Sequence, residues 1–314
     1  MDYESEPFYN EGNHPPSSGV INGYQIDGEL EKPTNCSFIY LGSSQQNNQK
    51  KVIKFVKLIK KKIDRIKNEI ETMSIANHPN ILRMDECFRL GPFACIITPY
   101  APYKSLFHLV VTQYPSGIPE NIAVIIFRQM LQAVHYLHGV NIWHRDIKPD
   151  NFLVFDSHPE HPSIVLADFG FAKKFQEGEL GNDFFGTPEY TAPEIFSGTK
   201  YEKSVDIYSL GVTLFVLLTA RYPVPSFKTA RDECKRRIRK GLLNYQLLVD
   251  MEISPDAVDL IRQMCRLDPT LRITAEDALN HPWIVSSQKE NAMEGDISNA
   301  LWEGENYQFE PPGV

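Results

Sequence analysis

The sequence predicts an α+β protein of two lobes, a small β-rich lobe followed by a larger helical one. Three observations carry that prediction. Over residues 23–100 the apolar residues recur in strand-length runs with one helical stripe inserted. The proline-bracketed run Pro99-Tyr100-Ala101-Pro102 then breaks the pattern. Beyond it the apolar segments lengthen to helical size.

Taken in order, residues 1–21 are rich in Glu, Asn, Ser and Gly with the pair Pro15-Pro16, and are expected to form a disordered leader. The folded unit is expected over 22–285: a first lobe 22–98, a hinge 99–104 and a second lobe 105–285. Residues 37–41 and 51–56 read as two strands joined by the polar hairpin 43–50. Residues 60–76 read as a helix, since Ile63, Ile66, Ile70 and Met73 recur at spacings of three and four. Residues 93–100 form a further short apolar run. Residues 122–137 and 206–218 have helical length, and the second is apolar almost all round, which predicts a helix buried through the middle of its lobe. Helices are also expected around 229–241 and 255–267, ahead of His281-Pro282-Trp283. Residues 286–314 are an acidic tail with a single lysine.

Charge and cysteine usage exclude several classes. With 32 Lys and Arg against 40 Asp and Glu, the net charge is −8, which argues against nucleic acid as a partner. The 5 cysteines are scattered and without close pairs, so neither a disulfide framework nor a zinc site is expected. They suit a reducing compartment, and a cytoplasmic location is expected, with the nucleus left open. The acidic N-terminus lacks the basic start and apolar core of a signal peptide. The longest apolar stretch, 210–218, falls short of the roughly 20 residues of a membrane span.

Three motifs carry chemistry. Residues 144–151 read His-Arg-Asp-Ile-Lys-Pro-Asp-Asn, 168–170 read Asp-Phe-Gly, and 186–194 read Gly-Thr-Pro-Glu-Tyr-Thr-Ala-Pro-Glu. In this order, and followed by Asp206 to Gly211 and by Arg272, they closely resemble the eukaryotic protein kinases. The resemblance covers residues 22–285 and is nearest to Ser/Thr kinases of the calcium/calmodulin-dependent group. It implies a bilobal kinase fold that binds ATP and Mg2+ and phosphorylates protein substrates.

The resemblance also implies individual roles. Asp146 accepts or orients the proton of the attacking hydroxyl, and Lys148 stabilises the transferring phosphate. Asn151 and Asp168 are the expected metal ligands. Lys54 is expected to grip the nucleotide phosphates with Glu69 as its partner, because Glu69 borders the apolar stripe of its helix. Backbone groups of Pro99 and Ala101 are expected to meet the adenine, with Thr98 behind it and Ile39, Val52 and Leu153 against its faces. His144, Phe169 and Gly170 complete the motifs. Glu194 and Arg272 are expected to pair, Asp206 to accept amides of the catalytic loop, and Thr187 to reach Asp146 and Lys148.

Three departures from the family stand out. The glycine-rich loop is degenerate: its glycine positions fall on Lys32, Thr34 and Ser37, and Pro33 removes a backbone donor. Weak nucleotide affinity or slow turnover is expected, and a silent pseudokinase scaffold is the alternative reading. The stretch 171–186 holds no Ser, Thr or Tyr. Asp183 lies where many relatives carry a phosphothreonine, with Arg145 and Lys173 as the expected receivers; the other reading of Asp183 is a solvated Gly-Asn-Asp turn. Finally, Ser105 and Val216 stand where basic-directed relatives carry glutamates, leaving Asp150 alone to meet a substrate arginine. The acidic tail is no basic amphipathic helix, so calmodulin is not supported as a partner.

Overall fold

The computed structural model describes residues 14–34, 36–60 and 63–286. In the first lobe the strands are β1 (Gly19–Ile21), β2 (Tyr24–Glu31), β3 (Ser37–Ser44) and β4 (Lys50–Lys57). Helix α1 (Ile63–Ile75) follows, then β5 (Glu86–Leu90) and β6 (Phe93–Pro99). The strands form one antiparallel sheet in the order β1-β2-β3-β4-β6-β5. Alternation along a strand sends neighbouring side chains to opposite faces. Phe38, Tyr40, Ile53, Phe55, Cys95 and Ile97 therefore share one face and form a core of their own. The pairings Ile39 with Lys54 and Val52 with Thr98 put those four residues on the other face.

The strand and helix expectations over 37–76 match this lobe closely. The leader does not: Gly19–Ile21 pair with β2, and His14 stands edge-on to Phe38 with ring centroids 5.2 Å apart. Gly19–Ile21 thus extend the sheet, because the β2 edge offers unpaired backbone groups for a further strand. The rest of the expected leader, and the tail from 287 onward, lie outside the described residues.

The second lobe contains α2 (Leu106–Gln113), α3 (Glu120–Gly139), β7 (Ile142–Trp143), β8 (Phe152–Asp156), β9 (Ser163–Leu166) and β10 (Lys173–Lys174). It continues with α4 (Pro193–Ser197), α5 (Ser204–Thr219), α6 (Arg231–Arg239), α7 (Tyr245–Asp250), α8 (Pro255–Met264) and α9 (Ala275–Leu279). Every residue of α5 after Ser204 is buried, as its all-round apolar character predicts. Gly211 lets α8 approach α5: a Cβ there would lie 2.6 Å from Sγ of Cys265 and 2.7 Å from Cβ of Met264. Two short ladders, β7 with β10 and β8 with β9, clamp the segments 144–151 and 167–172 between strands. Among the described residues no helix is long and apolar enough to cross a membrane.

Candidate active site

The loop after β7 is held from below by a buried carboxylate. Asp206, near the start of α5, accepts the backbone N–H of His144 at 2.9 Å and of Arg145 at 2.7 Å, and lies 2.9 Å from Nε2 of His138. Burial pushes the Asp206 pKa up most strongly, but His138, His144 and the Arg145 amide outweigh it, so the group sits below the usual carboxylate range. This anchoring holds Arg145 at φ 67°, a left-handed conformation that is costly for a residue with a side chain.

The same loop gathers four groups around one carboxylate. Asp146 accepts the Thr187 backbone N–H at 2.9 Å and its hydroxyl at 3.0 Å through Oδ1. Through Oδ2 it accepts Lys148 Nζ at 2.8 Å and Asn151 Nδ2 at 3.1 Å. Lys148 also donates to the Thr187 hydroxyl at 2.7 Å. The expected set of Asp146, Lys148, Asn151 and Thr187 is therefore one hydrogen-bonded cluster. Gly186, at φ 84°, allows the chain to pass: a Cβ there would lie 2.9 Å from the Arg145 carbonyl.

Asp168 enters from the end of β9, also left-handed at φ 58°, and its Oδ1 accepts the Gly170 N–H at 3.3 Å. The Ala167 N–H donates to the Asn151 carbonyl at 2.8 Å, which ties the two expected metal ligands together through the backbone. Burial is the largest influence on Asp168 and raises its pKa, yet Lys54, His144, the Gly170 amide and Arg65 together bring it below the usual range. Asn151 spends its amide donors on the Asp146 carbonyl and carboxylate, which leaves its own side-chain oxygen for other use. Oxygen donors of these two kinds suit a hard divalent cation. Among the described residues no cluster of three or more His, Cys, Asp or Glu forms a cage, and a cation held by Asn151 and Asp168 would take its remaining ligands from substrate and water. Phe169 is fully buried with its ring edge-on to His144 at 5.2 Å.

Lys54 on β4 reaches Glu69 of α1, with Nζ 2.5 Å from Oε1. Burial lowers the Lys54 pKa most, but Glu69 and Asp168 more than compensate, so the ammonium is held above its ordinary value. Thr98 and Pro99 close β6, Ala101 follows in the linker, and Leu153 on β8 bridges to Ser105 beside it. Ile39, Val52 and Leu153 are each half-buried.

The loop between β2 and β3 carries the degenerate motif and closes on itself. Oγ1 of Thr34 accepts the N–H groups of Ser37 at 3.0 Å and Cys36 at 3.4 Å, while the Thr34 N–H donates to the Ser37 carbonyl at 2.9 Å. A hydroxyl thus engages the amides that a glycine at 34 would leave available.

In the segment after Asp168, Asp183 accepts Arg145 Nη1 through both oxygens, at 2.8 and 2.9 Å. Its Oδ1 also takes the Tyr201 hydroxyl at 2.5 Å. The structure therefore favours the paired reading of Asp183 over the solvated turn. Lys173 is not a receiver: it pairs with Glu179 at 2.9 Å, six residues away and closer along the chain. Further on, Arg272 and Glu194 form a two-pronged buried pair, Nη1 to Oε1 at 2.5 Å and Nη2 to Oε2 at 2.7 Å. Two of the residues that act here were missed from sequence. Tyr201 gave no local signal, being 18 positions from Asp183. Arg65, whose guanidinium lies 4.0 Å from the Phe171 ring centroid, was traceable from its place one turn before Glu69 on α1.

A two-lobed fold with a catalytic loop, a left-handed Asp-Phe-Gly and a lysine–glutamate pair defines a phosphotransferase of the protein kinase class. The sequence matches the protein kinase domain over residues 35–284, and the chain belongs to that family. It is 32% identical to myosin light chain kinase A of Dictyostelium discoideum over 86% of this chain and 91% of that protein. It is 38% identical to the serine/threonine-protein kinase GIN4 of Saccharomyces cerevisiae over 69% of this chain but only 18% of that much longer protein. It is 35% identical to calcium/calmodulin-dependent protein kinase type 1 of Macrobrachium nipponense over 73% of this chain and 64% of that protein.

Proposed function

We propose that the chain is a catalytically competent Ser/Thr protein kinase that uses MgATP. The observation that carries this reading is the cluster around Asp146, where an ionisable oxygen, an ammonium and a hydroxyl meet within hydrogen-bond distance. Phosphoryl transfer asks mainly for positioning and charge neutralisation. In this reading Asp146 receives or orients the proton of the incoming Ser or Thr hydroxyl, and Lys148 offsets charge that develops on the transferring group. Asn151 and Asp168 hold the cation, which when bound neutralises phosphate oxygens, and Lys54 holds the phosphates while Glu69 fixes its position. Backbone groups at Pro99 and Ala101 would meet the adenine between Ile39, Val52 and Leu153, with Thr98 behind it.

The rival reading, a silent scaffold, finds no support in these positions, each of which carries the residue type that the chemistry requires. The Thr34 turn bears on nucleotide affinity and rate. Substrate choice departs from a strict arginine requirement: Ser105 caps α2 by accepting the His108 N–H at 3.2 Å, and Val216 is buried inside α5. The test is transfer of the γ-phosphate from MgATP to a mixed protein substrate, with Asp168→Asn as control. Transfer by the wild type alone supports the reading. No transfer, together with no MgATP-induced thermal shift, would sink it.

A further inference from the structure

We propose that Lys228, Arg231 and Lys235, arranged around Phe227, form a docking site for acidic residues that flank the phosphoacceptor in a protein substrate. The inference rests on the kinase reading above and gives it a substrate class. Between 228 and 240 the chain carries seven Lys or Arg against two acids, within a molecule of net charge −8. Local structure accounts for part of this. Arg236 pairs with Glu233 at 2.7 Å, Arg237 donates to the Leu242 carbonyl at 2.9 Å, and Arg239 donates to the Phe196 carbonyl at 2.6 Å. These three also lie in the last turn of α6, where the helix dipole favours cations.

Lys228, Arg231 and Lys235 have no such explanation. None forms an ion pair among the described residues. Arg231 is the first residue of α6, the end at which the dipole disfavours a cation. Instead both helical cations gather on one ring: Arg231 Cζ lies 5.2 Å and Lys235 Nζ 5.7 Å from the Phe227 centroid. Cys234 and Ile238 turn inward and fix that orientation. Asp232 projects about 100° further round the helix from Arg231.

The face is continuous with the acceptor site. The Phe227 N–H donates to Oε1 of Glu189 at 2.9 Å, and Glu189 follows two residues after Thr187 in the Asp146 cluster. An aromatic strip runs alongside, from Phe184, which is 60% exposed, through Phe196 to Phe227. A substrate segment leaving the Asp146 cluster along this strip meets two cations already ordered by an aromatic ring, with Lys228 next to that ring along the chain. Charge complementarity selects carboxylates there.

The test uses two serine peptides that differ only in carrying three Glu or three Gln beside the acceptor, made in versions with the triplet on either side. The wild type is expected to phosphorylate one acidic version with kcat/KM on the order of tenfold above its Gln counterpart, a preference that fades with salt. In the triple variant Lys228→Ala, Arg231→Ala, Lys235→Ala the Gln peptides should react as before, and the preference should vanish. An acidic preference that survives in the variant, or none in the wild type, overturns the proposal. If no peptide is phosphorylated, the kinase reading fails separately. Docking is then decided by fluorescence anisotropy of the labelled acidic peptide, whose affinity must fall on the order of tenfold in the variant for the proposal to stand. A synthetic peptide of residues 287–314 that binds this face while acidic substrates do not would assign it to the chain's own terminus, and overturn the substrate reading.

Discussion

Asp183 presents both carboxylate oxygens to a single nitrogen of Arg145, the residue directly before Asp146. Tyr201 donates to the same carboxylate, so an acid, a base and a phenol close a bridge between the segment after Asp168 and the catalytic loop. A phosphate would bring −1.5 to −2 charges to such a site, and Asp183 brings one. The stretch 171–186 has no hydroxyl to phosphorylate, and we propose that this bridge orders the segment without a modification step.

Asp183→Ala is expected to lower kcat/KM by roughly threefold to tenfold, an effect kept modest because the carboxylate is 58% exposed and solvent screens the pair. Tyr201→Phe should give a smaller loss in the same steady-state assay. Burial acts to raise the Asp183 pKa, but the Tyr201 and Arg145 hydrogen bonds bring it below the ordinary value of 3.8. A depressed folded-state pKa contributes stability that is present above the unfolded value and lost as pH falls through the folded one. The bridge should therefore hold unchanged from pH 5 to 8, and proteolysis at 171–186 should accelerate only in more acidic buffer.

Lys54→Met should abolish transfer while leaving the fold intact, read by activity and by thermal melting. Glu69→Gln should lose less, since its amide keeps a hydrogen bond to Lys54 but not the charge.

Arg272→Ala removes one partner of a pair that is almost wholly buried, leaving Glu194 charged and desolvated. The expected loss of stability is about 3–5 kcal/mol, measured by denaturant unfolding. An unchanged midpoint would show the pair to be dispensable.

Thr34→Gly releases the Ser37 and Cys36 amides from the side-chain hydroxyl. Nucleotide affinity should rise by roughly threefold, about 0.6 kcal/mol, in a calorimetric titration of MgATP.

The thiols offer a separate check on the core. Burial pushes Cys234 up to about 11 and Cys265 up to about 12. Neither forms a thiolate near neutral pH, so both should stay unmodified by iodoacetamide at pH 8 until the protein is unfolded, as mass spectrometry of digests would read.

Much of the site was legible because it lies in short contiguous runs. The elements 144–151 and 168–170 each bring their chemistry within a few residues, so the family resemblance these motifs carry marks Asp146, Lys148, Asn151 and Asp168. The helix carrying Glu69 was legible for the same reason: a 3.6-residue period is written in neighbouring positions. Strand-length runs and the all-round apolar stretch 206–218 likewise determined a β-rich lobe ahead of a helical one with a buried central helix. What depended on residues distant in sequence was not legible. Whether Lys173 or Tyr201 meets Asp183 is settled by the bridge that pairs Gly181 with Tyr201, and by the nearer Glu179 that takes Lys173. That Gly19–Ile21 join the first sheet and His14 meets Phe38 follows from pairing with β2 and from packing, not from their own composition. The basic face at Phe227 likewise acquires meaning only where Glu189 fastens it beside Thr187. Periodicity and motif spacing are properties of neighbours along the chain, whereas partner choice between charges is decided by the distances that tertiary packing imposes.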